Sequence, residues 1–194
     1  MGRTEDTLRE LASAHDGLFT VQEAVGAGIH RDLIVQLADR RRVERVARGL
    51  YRFPSWPTSE LQQYHEALLR PQAQRDLAYA FVSHDSALEL YNLTRLNPAV
   101  IHVTIPRGTR IVREMPAWIR FHYADVEECD RTWERGVQTV TITRAVEDIA
   151  ATQGIDIVQE AVREARERHL LREDELARLE KKFGKRIMEM RYAY

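Results

Sequence analysis

The alternation of hydrophobic and polar residues changes its period along the chain. Up to residue 91, outside one short stretch, apolar residues recur every three to four positions, as they do along a buried helix face. Between residues 100 and 142, three runs alternate apolar and polar residues, which is typical of strands. After residue 143 the helical period returns. The pattern predicts an α+β protein with a small sheet and C-terminal helices.

The first 53 residues carry the signals of three short helices followed by a β-hairpin. The helices are predicted at residues 4–14, 20–28 and 30–41, and the hairpin at residues 43–53. Thr20 and Glu23 form the capping-box pattern that begins the second helix, and Gly49 supplies the backbone freedom of a tight turn. In the third helix, the apolar stripe that begins at Leu33 is predicted to face the core. This order of elements predicts a winged helix-turn-helix.

Positive charge is concentrated on the third helix and the hairpin. Residues 25–53 hold seven arginines against three acidic residues, a local charge of +4, whereas the formal net charge of the whole chain is −1. Arginines near a helix end are often only solvated, so their position beside a hairpin carries the prediction of DNA binding. The predicted DNA-binding residues are Arg31, Gln36, Arg40, Arg41, Arg42, Arg45, Arg48 and Arg52. Arg31 and Gln36, together with Val35, are expected to reach base edges, and the remaining arginines to meet phosphates.

Composition limits the cellular setting of the protein. The single cysteine, Cys129, excludes an internal disulfide and is typical of a reducing compartment. No apolar run approaches the roughly 18 residues of a membrane-spanning helix, and the N-terminus lacks a secretory signal. These features predict a cytoplasmic protein with no membrane association.

A proline-rich segment follows the hairpin. Pro54 and Pro57 hold the chain extended, so the domain boundary is predicted near residue 56. Residues 1–56 would form the winged helix-turn-helix DNA-binding domain, and residues 57–194 a mixed α/β domain with a small sheet. Further predictions are helix caps at Thr58 or Ser59, Ser83 and Thr143, a short strand at residues 110–113, and helices at residues 155–169 and 172–183.

Two surfaces of the second domain are candidates for contacts with other molecules. Arg107, Arg110 and Arg113 surround a predicted turn and form a secondary basic patch that could touch flanking DNA. The two C-terminal helices are dense in charge on their outer faces, which indicates a solvated face in most proteins and a partner surface in some.

Residues that could carry out chemistry have unsuitable spacing. Ser83, His84 and Asp85 are adjacent on a short predicted helix, where side chains fan out instead of converging as in a catalytic triad. His102 and His122 lie in predicted strands, and alternation alone can place them on one face with His84 nearby. No His-x-His, His-x-x-x-His or Cys-x-x-Cys spacing supports a metal site. We therefore predict no enzyme activity, no metal and no cofactor.

The sequence from residue 17 to residue 53 resembles the N-terminal winged-helix domain of AbiEi-type antitoxins. Three features carry the resemblance: Phe19-Thr20 at a helix start, Gly28-Ile29 before the third helix, and R-x-x-R-V-x-x-G-x-Y from Arg42 to Tyr51. It continues in SHxSALxLY at residues 83–91 and in IHVTIP at residues 101–106. The resemblance covers roughly residues 17–153.

This resemblance implies a DNA-binding antitoxin of a bacterial toxin–antitoxin system. Such a protein represses its own operon by binding double-stranded DNA at its operator, with a homodimer on paired repeats as one arrangement. It also counteracts a nucleotidyltransferase-type toxin, directly or indirectly. Two other interpretations stay open. One is a stand-alone winged-helix transcriptional regulator whose second domain senses a ligand or a protein, and the other is an endonuclease with a DNA-targeting domain.

Overall fold

The computed structural model describes residues 2–73, 77, 79–93, 99–112, 114–151 and 155–184. Its helices and strands confirm the predicted α+β class. The chain forms two compact units, which we call unit 1 (Met1–Ala80 and Gly108–Pro116) and unit 2 (Phe81–Arg107 and Ala117–Tyr194). None of the helices in the described residues is long and apolar enough to cross a membrane.

Unit 1 begins with a winged helix-turn-helix. Its helices are α1 (Gly2–Ser13), α2 (Val21–Gly26), α3 (Arg31–Asp39) and α4 (Gln62–Gln72), and its strands are β1 (Leu18–Thr20), β2 (Glu44–Ala47) and β3 (Leu50–Arg52). The strands pair antiparallel in the order β1-β3-β2, so β2 and β3 form the hairpin of the wing. The predicted capping box is confirmed, because the backbone N–H of Glu23 donates to Thr20 Oγ1 and that of Thr20 donates to Glu23 Oε2.

Both faces of this small sheet are buried. Phe19 and Tyr51 lie opposite each other on β1 and β3 and join the core that α1, α2 and α3 form. Leu18 and Leu50 point to the other side, where they pack against Leu69 of α4. Because side chains alternate along a strand, even a strand of three residues can contribute to two cores. The compact unit therefore extends beyond residue 56, where the sequence predicted the domain boundary, and includes α4.

Three details of unit 1 differ from the sequence predictions. Leu33 is 39% exposed, because Ile34 and Leu37 take the buried side of α3. The pattern does not predict β1, since three residues are too few to show alternation. Ser59 does not cap α4 itself. Its hydroxyl oxygen instead accepts a hydrogen bond from the backbone N–H of Leu61, in the turn before the helix.

Unit 2 contains a mixed sheet that, in the described residues, has five strands. The strands are β4 (Phe81–Val82), β5 (Ile101–Ile105), β6 (Ile119–Tyr123), β7 (Arg131–Glu134) and β8 (Val137–Val140), and the helices are α5 (His84–Leu90), α6 (Ile142–Ile149), α7 (Ile155–Glu167) and α8 (Glu173–Phe183). The strand order is β6-β5-β4-β8-β7. The pairs β5–β6 and β4–β8 are parallel, and the pairs β4–β5 and β7–β8 are antiparallel.

Several predictions for the chain after the winged helix differ from the structure in local detail. Residues 110–112 form no strand, and Arg113 lies outside the described residues. Thr141 caps α6 by accepting a hydrogen bond from the backbone N–H of Arg144, whereas Thr143, the predicted cap, is buried. Ser83 occupies the N-cap position of α5 without a side-chain capping bond. The predicted end of α8 at a glycine is confirmed by Gly184, which has a φ of 74°.

Ion pairs connect α8 to the body of unit 2. Arg178 binds Asp130 (Nη1 to Oδ1, 2.7 Å) and Glu147 (Nε to Oε1, 2.8 Å). On α6, Arg144 binds Asp148 (Nε to Oδ1, 2.7 Å) and lies 3.7 Å from Asp130. These carboxylates are almost entirely buried, so the guanidinium groups supply the compensating charge that burial requires.

Candidate nucleic-acid interface

Helix α3 buries one face and exposes the other. Its cap is His30, whose Nδ1 atom accepts a hydrogen bond from the backbone N–H of Asp32. Ile34 and Leu37 anchor the inner face in the core of unit 1. The exposed side chains suited to contact with a ligand are Arg31, Leu33, Val35 and Gln36. In a winged helix, this outward face of the third helix is the one that enters the major groove.

The exposed face of α3 is not cationic as a whole. Asp32 and Asp39 are exposed on the same helix as Arg31, so the helix carries a formal charge of −1. Val35 is 45% exposed and is followed by the amide of Gln36. An apolar side chain suits the thymine methyl group, and a glutamine amide suits the edge of adenine. The exposed side chains of α3 are therefore chemically suited to base edges, whereas the exposed positive charge is concentrated in the segments that follow.

The chain leaves α3 through a Schellman motif made of arginines. Arg41 has a left-handed backbone with a φ of 57°, its N–H donates to the carbonyl of Ala38, and the N–H of Arg42 donates to the carbonyl of Leu37. Glycine is the usual residue at the position of Arg41, so the sequence pattern did not reveal this cap. As a result Arg40 and Arg41 are exposed at the C-terminal end of α3, where the helix dipole also favours positive charge.

Two of the predicted DNA-binding arginines have acidic partners within unit 1. Arg42 donates to both carboxylate oxygens of Glu5 on α1, at 2.8 and 2.9 Å. This hydrogen bonding holds the pKa of the Glu5 carboxyl below its ordinary value. Arg52 binds Glu44 Oε2 across the hairpin at 2.8 Å. The carboxylates of Glu5 and Glu44 therefore largely compensate the positive charges of Arg42 and Arg52 in the absence of a ligand.

The wing presents two further arginines, Arg45 and Arg48, to solvent. Gly49 closes the hairpin turn with a φ of 83°, and a Cβ atom at this position would lie 2.9 Å from the carbonyl oxygen of Ala73. The tip of the hairpin thus packs against the C-terminal end of α4. In the described part of the chain, Arg45 and Arg48 form no ion pair with a carboxylate, and the same holds for Arg31 and Arg41.

The three arginines of the secondary basic patch belong to different parts of the chain. Arg107 belongs to unit 2, and its Nε atom lies 3.8 Å from Asp125 Oδ2 in an exposed ion pair. Arg110 is exposed and belongs to unit 1, and Arg113 lies outside the described residues. The role predicted for these three arginines remains a prediction.

Comparison with known families bears on the winged helix just described. Residues 6–54, which run from within α1 to the end of the wing, match the family model described as transcriptional regulator, AbiEi antitoxin. The N-terminal domain is AbiEi-like. This family consists of regulators and not of enzymes, and the match covers about a quarter of the 194 residues. No curated protein matches the chain.

The sequence predicted the arginines of the AbiEi-like domain but not the residues that pair with them or pack against the wing. Glu5 lies 37 residues before its partner Arg42, so no local pattern connects the two. The same is true of Ala73, which meets the wing at Gly49. The local feature that could have indicated an acidic partner is the acidic first turn of α1. An acidic residue there is equally expected from its favourable interaction with the helix dipole.

Proposed function

We propose that this protein is an antitoxin that binds the operator of its own operon through α3 and the wing, and that it represses this operon. The observation that carries the proposal is a division of chemistry along residues 31–48. All of the following side chains are exposed: Arg31, Val35 and Gln36, which we assign to base contacts, and Arg40, Arg41, Arg45 and Arg48, which we assign to phosphate contacts. Base contacts specify a DNA sequence, whereas phosphate contacts position the protein. The match of residues 6–54 to a family of regulators supports the same assignment.

Fluorescence anisotropy with DNA duplexes tests the proposal. The probe is the region upstream of the chain's own gene, and the reference is an unrelated duplex of the same length. We expect Arg48→Ala to weaken binding to both duplexes and to reduce the slope of log K against log salt concentration by about one, because one phosphate contact is lost.

The matched control is Arg166→Ala, which removes the same charge from an exposed position in the last turn of α7. It should leave both affinities unchanged. Binding by the unsubstituted protein that does not depend on salt concentration would contradict the proposed interface, as would an equal loss of affinity in the two variants.

The second part of the proposal concerns the toxin. The protein counteracts a nucleotidyltransferase-type toxin, in keeping with the antitoxin family that its N-terminal domain matches. In this scheme residues 1–56 bind DNA in the cytoplasm, as two copies on paired repeats, and residues 57–194 serve the countering of the toxin. A neighbouring reading frame for such a toxin is the expected genetic context.

Co-expression separates the two activities. With both genes on foreign promoters, the unsubstituted protein should restore growth that the neighbouring toxin arrests, and Arg48→Ala should restore growth equally. Co-purification of the two chains would indicate direct neutralisation, and rescue without co-purification would indicate an indirect route. Operator binding without any rescue would instead favour a stand-alone regulator whose second domain senses a ligand or a protein.

A further inference from the structure

Three histidines that are distant in sequence meet in unit 2. His102 and His122 lie on the neighbouring parallel strands β5 and β6, and the register offsets them by two positions, so both imidazoles leave the same face of the sheet. His84 is the first residue of α5 and comes over this face, because the backbone N–H of Ser83 donates to the carbonyl of His102 at 3.0 Å. The pairing of β5 with β6 and the position of α5 together create the cluster.

The distances within the cluster are close to those of a metal site. One ring nitrogen from each histidine lies within 4.8 Å of the others. His102 Nδ1 and His122 Nε2 are 3.0 Å apart, and the ring of His84 stacks on that of His122 with centroids 3.6 Å apart. Zinc binds imidazole nitrogen at about 2.0–2.1 Å in tetrahedral geometry, which separates the nitrogens by roughly 3.4 Å. Because the lone pair of an imidazole nitrogen lies in the ring plane, binding one ion requires the stacked rings of His84 and His122 to turn until their nitrogens converge.

Burial disfavours the protonated form of all three imidazoles. Burial and the neighbouring histidines lower the pKa of His84 to about 3 and the pKa of His122 to about 4, and burial also lowers the pKa of His102. Neutral imidazole is the form that binds metal ions, because the protonated ring has no free lone pair.

Polar groups around His84 are arranged as partners for its second nitrogen. Ser83 Oγ lies 3.0 Å from His84 Nδ1, and it accepts a hydrogen bond from Thr104 Oγ1 at 2.8 Å. Asp148 Oδ2 lies 3.8 Å from the same nitrogen, and this oxygen is buried and has no hydrogen-bond partner among the described residues. Metal-bound histidines generally donate their other N–H to such oxygens. With Nδ1 facing two acceptors, Nε2 of His84 is the nitrogen that a metal would use.

Backbone and charge agree with a functional site at this position. His84 has a left-handed φ of 55°, which is uncommon for a residue with a Cβ atom, and such outliers concentrate at functional sites. The positive charge of Arg144 contributes to the lowered pKa of His84, but the carboxylates of Asp148 and Asp130 already compensate this charge. Arg120, on β6, is exposed to solvent.

We propose that His84, His102 and His122 bind one divalent transition-metal ion, Zn²⁺ in preference, through one ring nitrogen each. Three nitrogen ligands select this class of ion over Mg²⁺ and Ca²⁺, which prefer oxygen ligands. The ion ties α5 to β5 and β6 and thereby stabilises unit 2. The three histidines belong to unit 2, whereas the proposed DNA interface belongs to unit 1.

Metal titration of the full-length protein, stripped with a chelator and dialysed, tests the site. We expect one Zn²⁺ per chain by calorimetry, a rise in the unfolding temperature on addition of Zn²⁺, and the visible absorption of a nitrogen-coordinated ion when Co²⁺ is added. His122→Gln should weaken Zn²⁺ binding at least about tenfold, since even the partners of metal ligands have effects of this size.

Two matched controls exclude other metal-binding groups. His169→Gln removes an exposed histidine of unit 2 outside the cluster, and Cys129→Ser removes the exposed thiol. Both variants should bind Zn²⁺ as the unsubstituted protein does. Absence of stoichiometric binding by the unsubstituted protein overturns the proposal, and so does equal binding by His122→Gln or loss of binding in Cys129→Ser.

If His122→Gln does not fold, nitrogen-15 NMR of the unsubstituted protein tests whether the three histidines bind the ion. Zn²⁺ should shift the ring nitrogens of the three clustered histidines and leave those of His30 and His169 in place, and Mg²⁺ should shift none. Shifts at His30 or His169 instead of the cluster would overturn the proposal.

Discussion

The Nη2 atom of Arg42 donates hydrogen bonds to both carboxylate oxygens of Glu5 and so links the segment between α3 and β2 to α1. The side chain of Arg42 is 59% exposed, whereas that of Glu5 is 15% exposed. The pair thus lies at the surface of unit 1, beside the exposed arginines of the proposed DNA interface. An arginine that already has an acidic partner must give up part of that interaction before it can bind a phosphate.

Arg42→Ala should therefore reduce DNA affinity less than Arg48→Ala does. Because exposed ion pairs contribute little, the free energy of unfolding should fall by less than about 1 kcal/mol. Glu5→Gln should increase DNA affinity severalfold at low salt, since it releases Arg42 and removes a negative charge. The control is Glu10→Gln, an exposed acid on the same helix, which should have a smaller effect. Anisotropy titrations at several salt concentrations measure all four variants, and an equal loss in Arg42→Ala and Arg48→Ala would contradict the inference.

Gln36→Ala should change sequence preference more than general DNA affinity. A direct base contact is worth about 1–3 kcal/mol, so affinity for the operator should fall about tenfold or more, while affinity for an unrelated duplex stays the same. Gln63→Ala, an exposed glutamine on α4, is the matched control and should change neither value. Competition titrations with both duplexes give the ratio of the affinity for the operator to the affinity for the unrelated duplex. An equal loss on both duplexes would mean that Gln36 contacts only the DNA backbone.

Gly49→Ala should destabilise unit 1 by about 2 kcal/mol or more. A left-handed backbone costs a residue with a Cβ atom about 1–2 kcal/mol, and at this position the Cβ would also approach Ala73 O to 2.9 Å. Gly28→Ala is the control within the same unit, because Gly28 has a similar φ of 82° and nothing within 4 Å of the added atom. Urea unfolding curves measure both variants. Equal losses of stability would show that the contact with Ala73 adds nothing to the cost of the backbone conformation.

Acid should destabilise unit 1 through His65. This side chain is buried on α4, with the ring of His15 at a centroid distance of 5.7 Å. Burial, and then the proximity of His15, lower the pKa of His65 to about 4 from its ordinary value of 6.5, and Asp16 opposes this shift. The unfolded chain therefore binds a proton below pH 6.5 that the folded chain does not bind until about pH 4. The contribution of neutral His65 to the free energy of unfolding is therefore fully present above pH 6.5 and declines as the pH falls towards 4.

At 1.4 kcal/mol per pH unit, this group alone should lower the free energy of unfolding by about 2 kcal/mol between pH 6.5 and pH 5. His65→Leu should remove that part of the pH dependence, and the exposed His169→Gln should not. Unfolding curves at intervals between pH 5 and pH 7.5 provide the comparison. The same slope in His65→Leu and in the unsubstituted protein would rule out a depressed pKa of His65.

Arg178→Met should destabilise unit 2 by about 3 kcal/mol, because it leaves the carboxylates of Asp130 and Glu147 without their main partner. The side chains of these acids are only 3% and 8% exposed. Lys182→Ala is the control, since Lys182 also binds Glu147, at 2.8 Å, but is 50% exposed. Its loss should cost less than about 1 kcal/mol. Thermal unfolding with a probe in unit 2 separates the two variants, and similar small losses would show that water reaches the two carboxylates.

Features that depend on near neighbours in sequence were predicted well. The capping box of Thr20 and Glu23, the turn at Gly49 and the end of α8 at Gly184 were all confirmed. Each involves hydrogen bonds or backbone angles within about four residues, so the identity of those residues decides the outcome. Ser83 does occupy the N-cap position of α5 but makes no side-chain capping bond, and the cap predicted at Thr143 was wrong, because Thr141 caps α6. The hydroxyls of Ser83 and Thr143 are buried, and the tertiary environment outweighs the local preference.

The candidate sites were only partly predictable for the same reason. The concentration of arginines between residues 31 and 52 is visible in the sequence, but the compensation of Arg42 by Glu5 is not. The sequence showed that His102 and His122 could share a face, yet it gave no metal-ligand spacing. Their contact with His84 depends on the parallel register of β5 and β6 and on the path of the chain from β4 into α5.

The amino-acid sequence by itself determined the order of helices and strands, the winged helix and the excess of positive charge at its wing, because periodicity, capping and charge are properties of neighbouring residues. The tertiary structure alone decided which arginines are already neutralised, where the first compact unit ends and which histidines meet. Those outcomes depend on packing and strand register between residues 20 to 57 positions apart, such as His102 with His122 and Thr139 with Val82. The free energy of such contacts comes from burial and from charges in a shared environment, which no local pattern records.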